Sequence, residues 1–297
     1  MSVSRREPGP TTRRVLGHHT RIGWHDHAGH QLIYLRRGVL SVRTDDGVIV
    51  LPAGSAVWLP AEAPHAHLAH GAAEFRSVMF PAGINPLGLT RVTAIAATAL
   101  LGEAMLALTD TSSPRPPAAK DRLREVIVDE MAVADTPRLR VPEPRDPRLR
   151  ALAAIFARDP GETRPLRALA AEIASSERTL SRLLRDELGL SFPQWRDRLR
   201  LFEATIALTQ GRTVAATAAG LGYSSSSVLI HSFRVTFGMT PGAVRAAAAA
   251  GPTLPPGGRS PAGVDQGSPA ARAGHGEGGS DQDEDADDRS EPDDGRG

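Results

Sequence analysis

The amino-acid sequence contains no cysteine, and this absence excludes several classes of protein. Without thiols the chain has no disulfide scaffold, no thiolate metal site and no cysteine nucleophile. It also has no run of about 18 apolar residues, the length that a membrane-spanning helix needs, and residues 1–14 lack the apolar core of a signal peptide. We therefore expect a cytoplasmic protein without a membrane partner.

Lysine is nearly absent as well, since Lys120 is its single occurrence, and arginine supplies almost all the positive charge. The 35 basic and 34 acidic residues almost cancel, but they are unevenly distributed. Residues 251–297 hold four basic and eleven acidic residues, a net charge of −7, which leaves +8 for residues 1–250. Because this acidic segment has little to bury, we expect a disordered tail behind a basic folded part.

Proline clusters at residues 113–120 and 136–147 indicate connectors, because proline lacks the N–H and disfavours helix in the residue before it. The resulting organisation has a disordered N-terminus, a first folded domain, a helical segment, a linker, a helical domain and a disordered acidic tail. The predicted boundaries are, in that order, 1–14, 15–90, 91–135, 136–145, 146–250 and 251–297.

Residues 15–90 have the pattern of a small β-barrel or sandwich. Short runs rich in Val, Leu, Ile and aromatic residues alternate with turn residues. Asp46-Gly47 lies between two of these runs and predicts a hairpin, because glycine adopts the positive φ of a primed turn. The predicted strands are 31–35, 39–44, 48–51, 56–59, 65–69 and 75–80.

Residues 91–135 change to helical periodicity, which predicts helices over 91–108 and 119–134. A helix pair that follows a small barrel either covers the barrel or pairs with a second subunit, and the pattern leaves both uses open. The chain as a whole is therefore expected to be α+β, with a β-barrel, a helix pair and an all-α C-terminal domain.

Residues 146–250 are predicted to be helical throughout and to hold two helix-turn-helix units. Asp146-Pro147 opens the first helix, Ser176 caps a helix over 177–188, and Gly189 ends it. A long helix over 192–208 joins this unit to a second one, with helices over 213–219 and from Ser224 or Ser225 to Phe237.

The helix over 177–188 carries polar side chains on the face opposite its leucines. Burial of the leucines turns Arg178, Ser181, Arg182 and Arg185 outward, at helical spacing. Arg178 and Arg182 would each contribute roughly 1–3 kcal/mol of discrimination as bidentate guanine contacts, or would hold phosphates instead. On an isolated helix such a stripe would indicate only a solvated face. Because it belongs to one of two tandem helix-turn-helix units, it favours double-stranded DNA as a partner.

Several motifs of this domain resemble the AraC/XylS family of bacterial transcription regulators. They are Leu180-Ser181-Arg182-Leu183-Leu184, Gly220-Leu221-Gly222-Tyr223-Ser224-Ser225 and Phe237-Gly238-Met239-Thr240-Pro241. The resemblance implies that two recognition helices enter successive major-groove segments, about 34 Å apart. It places Arg178, Ser181 and Arg182 against bases in the first unit, and Ser226, Ser227 and His231 in the second.

The second recognition helix has a single basic residue, Arg234, near its far end. We therefore expect this helix to contribute less affinity for DNA, and we predict that DNA-sequence specificity lies mainly in the first unit. Arg196, Arg198 and Arg200, on the joining helix, are interpreted as phosphate contacts or as solvated charge.

The N-terminal domain contains a histidine pair, His25 and His27, whose spacing on an extended segment places both rings on one face. The stretch resembles the first cupin motif, with Gly38 at the later glycine position. That motif has an acidic ligand where this chain has Gln31, and the second motif has a histidine where this chain has Val57. We therefore expect no metal at His25 and His27, and no cofactor.

A pocket for a small molecule is the alternative use of the same residues. In AraC-like regulators an N-terminal cupin-like barrel usually binds an effector, and the histidines offer hydrogen-bonding groups beside an aromatic wall. Trp58 and Tyr34 are equally compatible with an ordinary core. The candidate effector-binding residues are His25, His27, His30, Gln31, Trp58 and His65.

Together these features favour a one-component transcription regulator that is not an enzyme. The resemblance favours an activator, which would recruit RNA polymerase, and a homodimer formed through helices 91–108 and 119–134. Two alternatives stay open: a metal-dependent cupin enzyme fused to a DNA-binding module, and a ligand-independent DNA-binding protein whose barrel only dimerises.

Overall fold

The N-terminal half of the computed structural model, which describes residues 3–7, 9–136 and 140–249, folds into two facing β-sheets. One sheet has the strand order β1-β3-β8-β5-β6-β11 and the other β10-β7-β4-β9-β2. Neighbouring strands are antiparallel except for β1 and β3. The strands are β1 Ser4–Arg5, β2 Thr11–Leu16, β3 Arg21–Asp26, β4 His30–Arg37, β5 Val39–Thr44, β6 Gly47–Pro52, β7 Ala56–Leu59, β8 His65–Ala69, β9 Ala73–Phe80, β10 Thr93–Ile95 and β11 Arg140–Val141.

The six strands expected between residues 31 and 80 are all present, because each is apolar enough to be buried against the opposite sheet. The hairpin at Asp46-Gly47 is confirmed: Thr44 pairs with Gly47 across the turn. Gly47 has φ +138°, and a Cβ atom there would lie 2.3 Å from the carbonyl oxygen of Val141. Glycine at this position therefore permits both the turn and the close approach of β11.

Contrary to the expectation of a disordered N-terminus, residues 4–5 and 11–16 form strands β1 and β2. Strand β2 pairs with β9, from Thr11 opposite Val78 to Leu16 opposite Ala73, and Arg13 Nε donates to Glu74 Oε1 at 3.0 Å. Strand β3 was also missed. These segments are polar and carry no strong local pattern, so their pairing is fixed by distant partners.

The expected linker over 136–145 also contributes to the barrel. Strand β11 pairs with β6, with Arg140 opposite Ile49, and Arg140 Nη2 donates to the carbonyl oxygen of Val92. Residues 137–139 lie outside the described part of the chain, as does the predicted acidic tail at 251–297.

The helix pair consists of α1, Ala99–Thr109, and α2, Pro117–Val133. The helix predicted from residue 91 begins only at Ala99, because Thr93–Ile95 forms β10 and pairs with β7. The buried residues of both helices share one hydrophobic cluster with the barrel, including Trp58, Leu101 and Ile127. Tyr34 packs close against α1, since a Cβ atom on Gly102 would lie 2.7 Å from its hydroxyl oxygen. Much of the apolar face of α1 and α2 therefore packs against the barrel.

The C-terminal half is helical, and its predicted caps are confirmed. Asp146 accepts from the backbone N–H of Arg148, Ser176 from that of Thr179, and Gly189 ends its helix with φ +65°. Helix α9 was not expected. The helices are α3 Pro147–Arg158, α4 Leu166–Glu172, α5 Glu177–Leu188, α6 Phe192–Thr209, α7 Val214–Gly220, α8 Ser226–Phe237 and α9 Pro241–Ala249.

Helix α6 joins two different hydrophobic cores. Its first half places Phe192 and Trp195 among the residues of α3, α4 and α5, in a core separate from the barrel. Its second half places Leu201 and Leu208 in one cluster with residues of α7, α8, α9 and the barrel. The second helix-turn-helix unit therefore shares a core with the N-terminal domain, whereas the first does not. Among the described residues, no helix is both long and apolar enough to cross a membrane.

Candidate DNA interface and effector pocket

The first recognition helix, α5, presents the predicted basic stripe. Arg178, Arg182 and Arg185 are exposed and Ser181 is half-buried, while Leu180 and Leu184 face the core. Arg182 Nη1 lies 3.9 Å from Asp186 Oδ2, a weak exposed pair, and Arg178 and Arg185 form no ion pair with any described residue. These guanidinium groups are available to phosphates or base edges.

The second recognition helix, α8, presents a different surface. Ser227, His231 and Arg234 are exposed and Ser226 is half-buried, with Leu229, Phe233 and Phe237 facing inward. Sequence reasoning missed two exposed apolar residues on this helix, Val228 at 43% and Val235 at 72% exposure. An exposed valine on a recognition helix is suited to the methyl group of thymine. The signal was present in the sequence, because Val228 lies at helical spacing from His231.

The turn of the second unit is held from beneath by charged residues of α6. Gly222 has φ +67°, and a Cβ atom there would lie 2.6 Å from the carbonyl oxygen of Gly161. Arg200 is buried and donates from Nη2 to the carbonyl oxygen of Glu162 at 2.8 Å. Its interpretation as a phosphate contact or as solvated charge is therefore wrong. The Tyr223 hydroxyl donates to Asp197 Oδ1 at 3.0 Å, which ties the turn to α6.

The other two arginines of α6 also have neighbours within the protein. Arg198 Nη1 donates to the carbonyl oxygen of Arg140 at 3.0 Å and so links α6 to β11. Arg196 lies over the Phe192 ring, with its Cζ atom 5.0 Å from the ring centroid. Arg198 therefore connects the two halves of the molecule.

A cavity of about 260 Å³ opens in the barrel. Three of the six candidate effector residues line it: His25, His27 and Gln31. The lining also includes residues that sequence reasoning did not assign to a pocket, namely Arg6, Glu7, Thr12, Arg14, Ile22, Ile33, His67 and Phe75. Half of these come from β2, β3 and β8, and both β2 residues fall within residues 1–14, which were expected to be disordered.

Charge inside this cavity is mainly positive. Arg6 and Arg14 face it together with Glu7, and burial and the neighbouring Arg6 lower the pKa of Arg14. A partly dehydrated guanidinium group favours an anionic group as neighbour. The cavity therefore suits a small ligand that carries a negative charge.

Two candidate residues lie elsewhere. His30 Nδ1 accepts from the backbone N–H of Ala61 at 2.9 Å, and its Nε2 donates to the carbonyl oxygen of Ala82 at 3.0 Å. Its ring stacks on Trp58 at 5.2 Å, and Trp58 is fully buried in the cluster beneath the helix pair. His30 and Trp58 are thus structural residues outside the cavity, because alternate positions along β4 and β7 face opposite sides of their sheet.

His65 lies beside the cavity, in a cluster that we call the histidine triad: His25, His65 and His67. One ring nitrogen of each lies within 4.8 Å of the others. Burial, followed by neighbouring positive charge, lowers the pKa of His65 to about 3 and of His67 well below its usual value, and burial lowers that of His25 to about 4. All three rings are therefore neutral near pH 7.

His27 and Gln31 form a separate pair. His27 Nδ1 donates to the carbonyl oxygen of Gly29 at 2.8 Å, and its Nε2 lies 3.0 Å from Gln31 Oε1. Val57 is fully buried in the barrel core. The two positions that depart from the cupin motifs are thus occupied by an amide and an aliphatic side chain.

Comparison with known proteins agrees with this architecture. A helix-turn-helix domain family of the AraC type matches residues 169–247, and the cupin domain family matches residues 13–81. The HTH-type transcriptional regulator NimR of Escherichia coli is 32% identical over 222 residues, covering 73% of this chain and 80% of NimR.

More distant relatives include the HTH-type transcriptional regulator RipA of Corynebacterium glutamicum, 28% identical over 218 residues. The match covers 71% of this chain and 60% of RipA. A crystal structure of an AraC-type transcriptional regulator from Chromobacterium violaceum is 26% identical over 35% of this chain and 93% of that one, with a TM-score of 0.33. The chain belongs to the AraC/XylS family of DNA-binding transcription regulators and combines its tandem helix-turn-helix domain with a cupin domain.

Proposed function

We propose that a small anionic effector binds in the barrel cavity and changes how the second helix-turn-helix unit sits on promoter DNA. The observation that carries this proposal is the core shared by the barrel and the second unit, in which Leu40 and Val42 belong to the same cluster as Leu229 and Phe233. A ligand that prefers one arrangement of this core shifts the population toward it, and the size of the shift is set by its differential affinity.

Further contacts support mechanical coupling between the two parts. The His70 ring, which follows β8, lies 6.0 Å from the Phe202 ring of α6, and His70 Nε2 is 2.5 Å from Ser41 Oγ of β5. A Cβ atom on Gly54 would lie 3.7 Å from Met239 Cε, close to α9. The barrel strands thus touch the second unit at several points.

For DNA we propose contacts by Arg178, Ser181, Arg182 and Arg185 of α5 and by Ser226, Ser227, His231 and Arg234 of α8. Six of these side chains are exposed and two, Ser181 and Ser226, are half-buried, which supports this assignment. We further propose that the protein is a cytoplasmic activator that recruits RNA polymerase, and that the barrel binds its ligand without converting it.

We propose a homodimer through α1 and α2. After both helices have packed on the barrel, Leu100 is 55% and Val133 is 76% exposed, and these apolar side chains support a second contact surface. Sedimentation of Leu100→Glu with Val133→Glu should show monomers if this surface pairs. Ile84→Glu serves as the control, because Ile84 is 52% exposed but lies off the helix pair. An unchanged dimer in the double variant would place the interface elsewhere.

A thermal-shift screen with small carboxylates and phosphates, followed by DNA binding with and without each hit, tests the effector mechanism. A true effector should raise the melting temperature and change affinity for the upstream DNA of its own gene. Thr12→Phe fills the cavity and should abolish both effects, whereas Thr11→Phe, on the same strand outside the cavity lining, should preserve them. A hit that acts equally on Thr12→Phe would remove the cavity from the mechanism.

A further inference from the structure

We propose that the histidine triad binds a divalent transition-metal ion, with one nitrogen of each ring as ligand. The three residues are at most 6% exposed. Among the described residues, they form the group of side chains whose potential ligand atoms lie close enough together to hold a metal ion. Imidazole is a preferred ligand of Zn²⁺, Cu²⁺, Ni²⁺ and Fe²⁺. The proposal departs from the expectation of no metal.

Strand register assembles the triad. His25 of β3 lies opposite His65 of β8, and His67 follows two residues later on the same face of β8. A register irregularity between Ile22 and His25 adjusts the end of β3 at this point. The ring centroids of His25 and His65 are 4.3 Å apart, and those of His65 and His67 are 5.0 Å apart. The three rings therefore converge from two neighbouring strands.

The hydrogen bonds of the triad leave lone pairs unused. His25 Nδ1 donates to the carbonyl oxygen of Gly23 and His65 Nδ1 to that of Ala63, both at 2.8 Å. Each carbonyl fixes the proton on Nδ1, so Nε2 is left as an acceptor, which is the arrangement that orients metal-binding histidines. His65 Nε2 and His67 Nδ1 are buried and have no hydrogen-bond partner among the described residues. Leaving buried polar atoms unpaired costs free energy, and a metal ion would relieve part of that cost.

The distances fit a site that tightens on binding. Tetrahedral zinc with Zn–N bonds of about 2.0–2.1 Å places its ligand nitrogens roughly 3.4 Å apart. The triad nitrogens lie within 4.8 Å of one another, so small ring rotations close the site. The ligand set also differs from the one that the cupin motifs imply, since it shares only His25 with them and draws two ligands from β8.

His25 and His67 line the effector cavity, so the metal would border it. Three protein ligands leave a coordination position for water or for an anionic oxygen, and Arg6 and Arg14 favour the anion. This last step rests on the proposed effector function, whereas binding of the metal does not.

Metal binding is tested on the full chain after chelator treatment and dialysis, by titration with Zn²⁺ and by the visible absorption of Co²⁺. We expect one ion per chain, with affinity at least about 100-fold lower in His25→Gln and in His65→Gln. His18→Gln, an exposed histidine outside the triad, is the matched control and should bind as the wild type does. Absence of binding, binding that survives both triad substitutions, or binding that is lost in His18→Gln would each overturn the proposal.

Because His65 is fully buried, its variant is checked by circular dichroism, and X-ray absorption on the Zn²⁺-loaded wild type gives a result that needs no variant. Three imidazole ligands are expected in the first coordination sphere, and fewer than two would contradict the proposal. DNA binding is measured on the same preparations. If the metal fails to bind while DNA retention persists, the metal site is wrong and the regulatory function stands.

Discussion

The two helix-turn-helix units have the same outline but different surroundings. The first has its own core, around Leu152, Leu184 and Trp195, and presents three exposed arginines on α5. The second buries Leu229 and Phe233 in the cluster that continues into the barrel, and its recognition helix carries serines, a histidine and one arginine. We therefore propose different roles for the two units. The first contributes most of the electrostatic affinity for DNA, and the second changes its position when the effector binds in the barrel.

Core truncation should show the largest difference between the units. Phe233→Ala is expected to cost about 3–5 kcal/mol and to lower the stability of the barrel together with the second unit. Leu184→Ala should cost about 2–5 kcal/mol and act on the first unit alone. Trp195 lies in the first core and Trp58 in the barrel. Denaturant unfolding is followed by tryptophan fluorescence in two proteins, each of which keeps only one of these tryptophans and has phenylalanine at the other tryptophan positions. Equal shifts of both signals in both variants would contradict separate cores.

Glycine substitutions give a sharper comparison. Gly189 and Gly222 have similar φ, +65° and +67°, but a Cβ atom on Gly189 meets nothing within 4 Å, whereas one on Gly222 would lie 2.7 Å from both Arg200 and Thr163. Gly189→Ala should therefore lower the free energy of unfolding by about 1–2 kcal/mol, the strain of a left-handed backbone conformation in alanine. Gly222→Ala should cost more than that, measured as the free energy of unfolding. Equal losses would mean that the second turn is not held against α6.

DNA affinity tests the proposed division directly. Arg178→Ala and Arg182→Ala are each expected to weaken specific binding by about 1–3 kcal/mol, and His231→Ala by less. Arg158→Ala is the control, because its side chain is 74% exposed but belongs to α3, which is not a recognition helix. Fluorescence anisotropy at several salt concentrations gives both affinity and the number of phosphate contacts. A larger loss in His231→Ala than in Arg182→Ala would reverse the assignment.

The titration of His70 should give the smallest effect and should again separate the units. Burial, and then the charges of His19 and His18, lower the pKa of His70 to about 4, so this ring is neutral when folded and protonated when unfolded below about pH 6.5. The contribution of the neutral His70 ring to the free energy of unfolding is complete above that pH and is lost as the pH falls toward 4. Since His70 is partly exposed, we expect a loss of about 1 kcal/mol at pH 5.

Wild type and His70→Gln, compared by denaturant unfolding between pH 7 and pH 4, should converge as the pH falls. The first unit has no histidine between residues 146 and 212 and should be insensitive in the upper part of this range. A constant difference between the two proteins across the range would show that His70 does not titrate at the interface.

The helical domain was predicted almost completely because its signals are local. Ser176, Gly189 and Thr213 mark helix ends, and those marks act through the nearest backbone groups. The outward positions of α5 follow from the same periodicity. Arg200 was misinterpreted because its burial depends on Glu162, which is distant in the sequence and is reached only through the turn beneath the second unit.

The pocket was predicted only in part. His25, His27 and Gln31 come from one stretch of sequence with a recognisable pattern, and they do line the cavity. Arg6 and Arg14 were missed because β1 and β2 are polar edge strands whose places depend on pairing with β3 and β9. His30 was assigned to the pocket as a hydrogen-bonding group and Trp58 as an aromatic wall at the same barrel mouth, but strand alternation turns both to the other side.

The amino-acid sequence by itself determined the class of protein, the tandem recognition helices and their exposed residues, because helix periods and caps are short-range. Only the tertiary structure decided that the second unit shares its core with the barrel and that His25, His65 and His67 converge. Both depend on strand register and on helix packing between residues far apart in the chain, and no local pattern specifies those contacts.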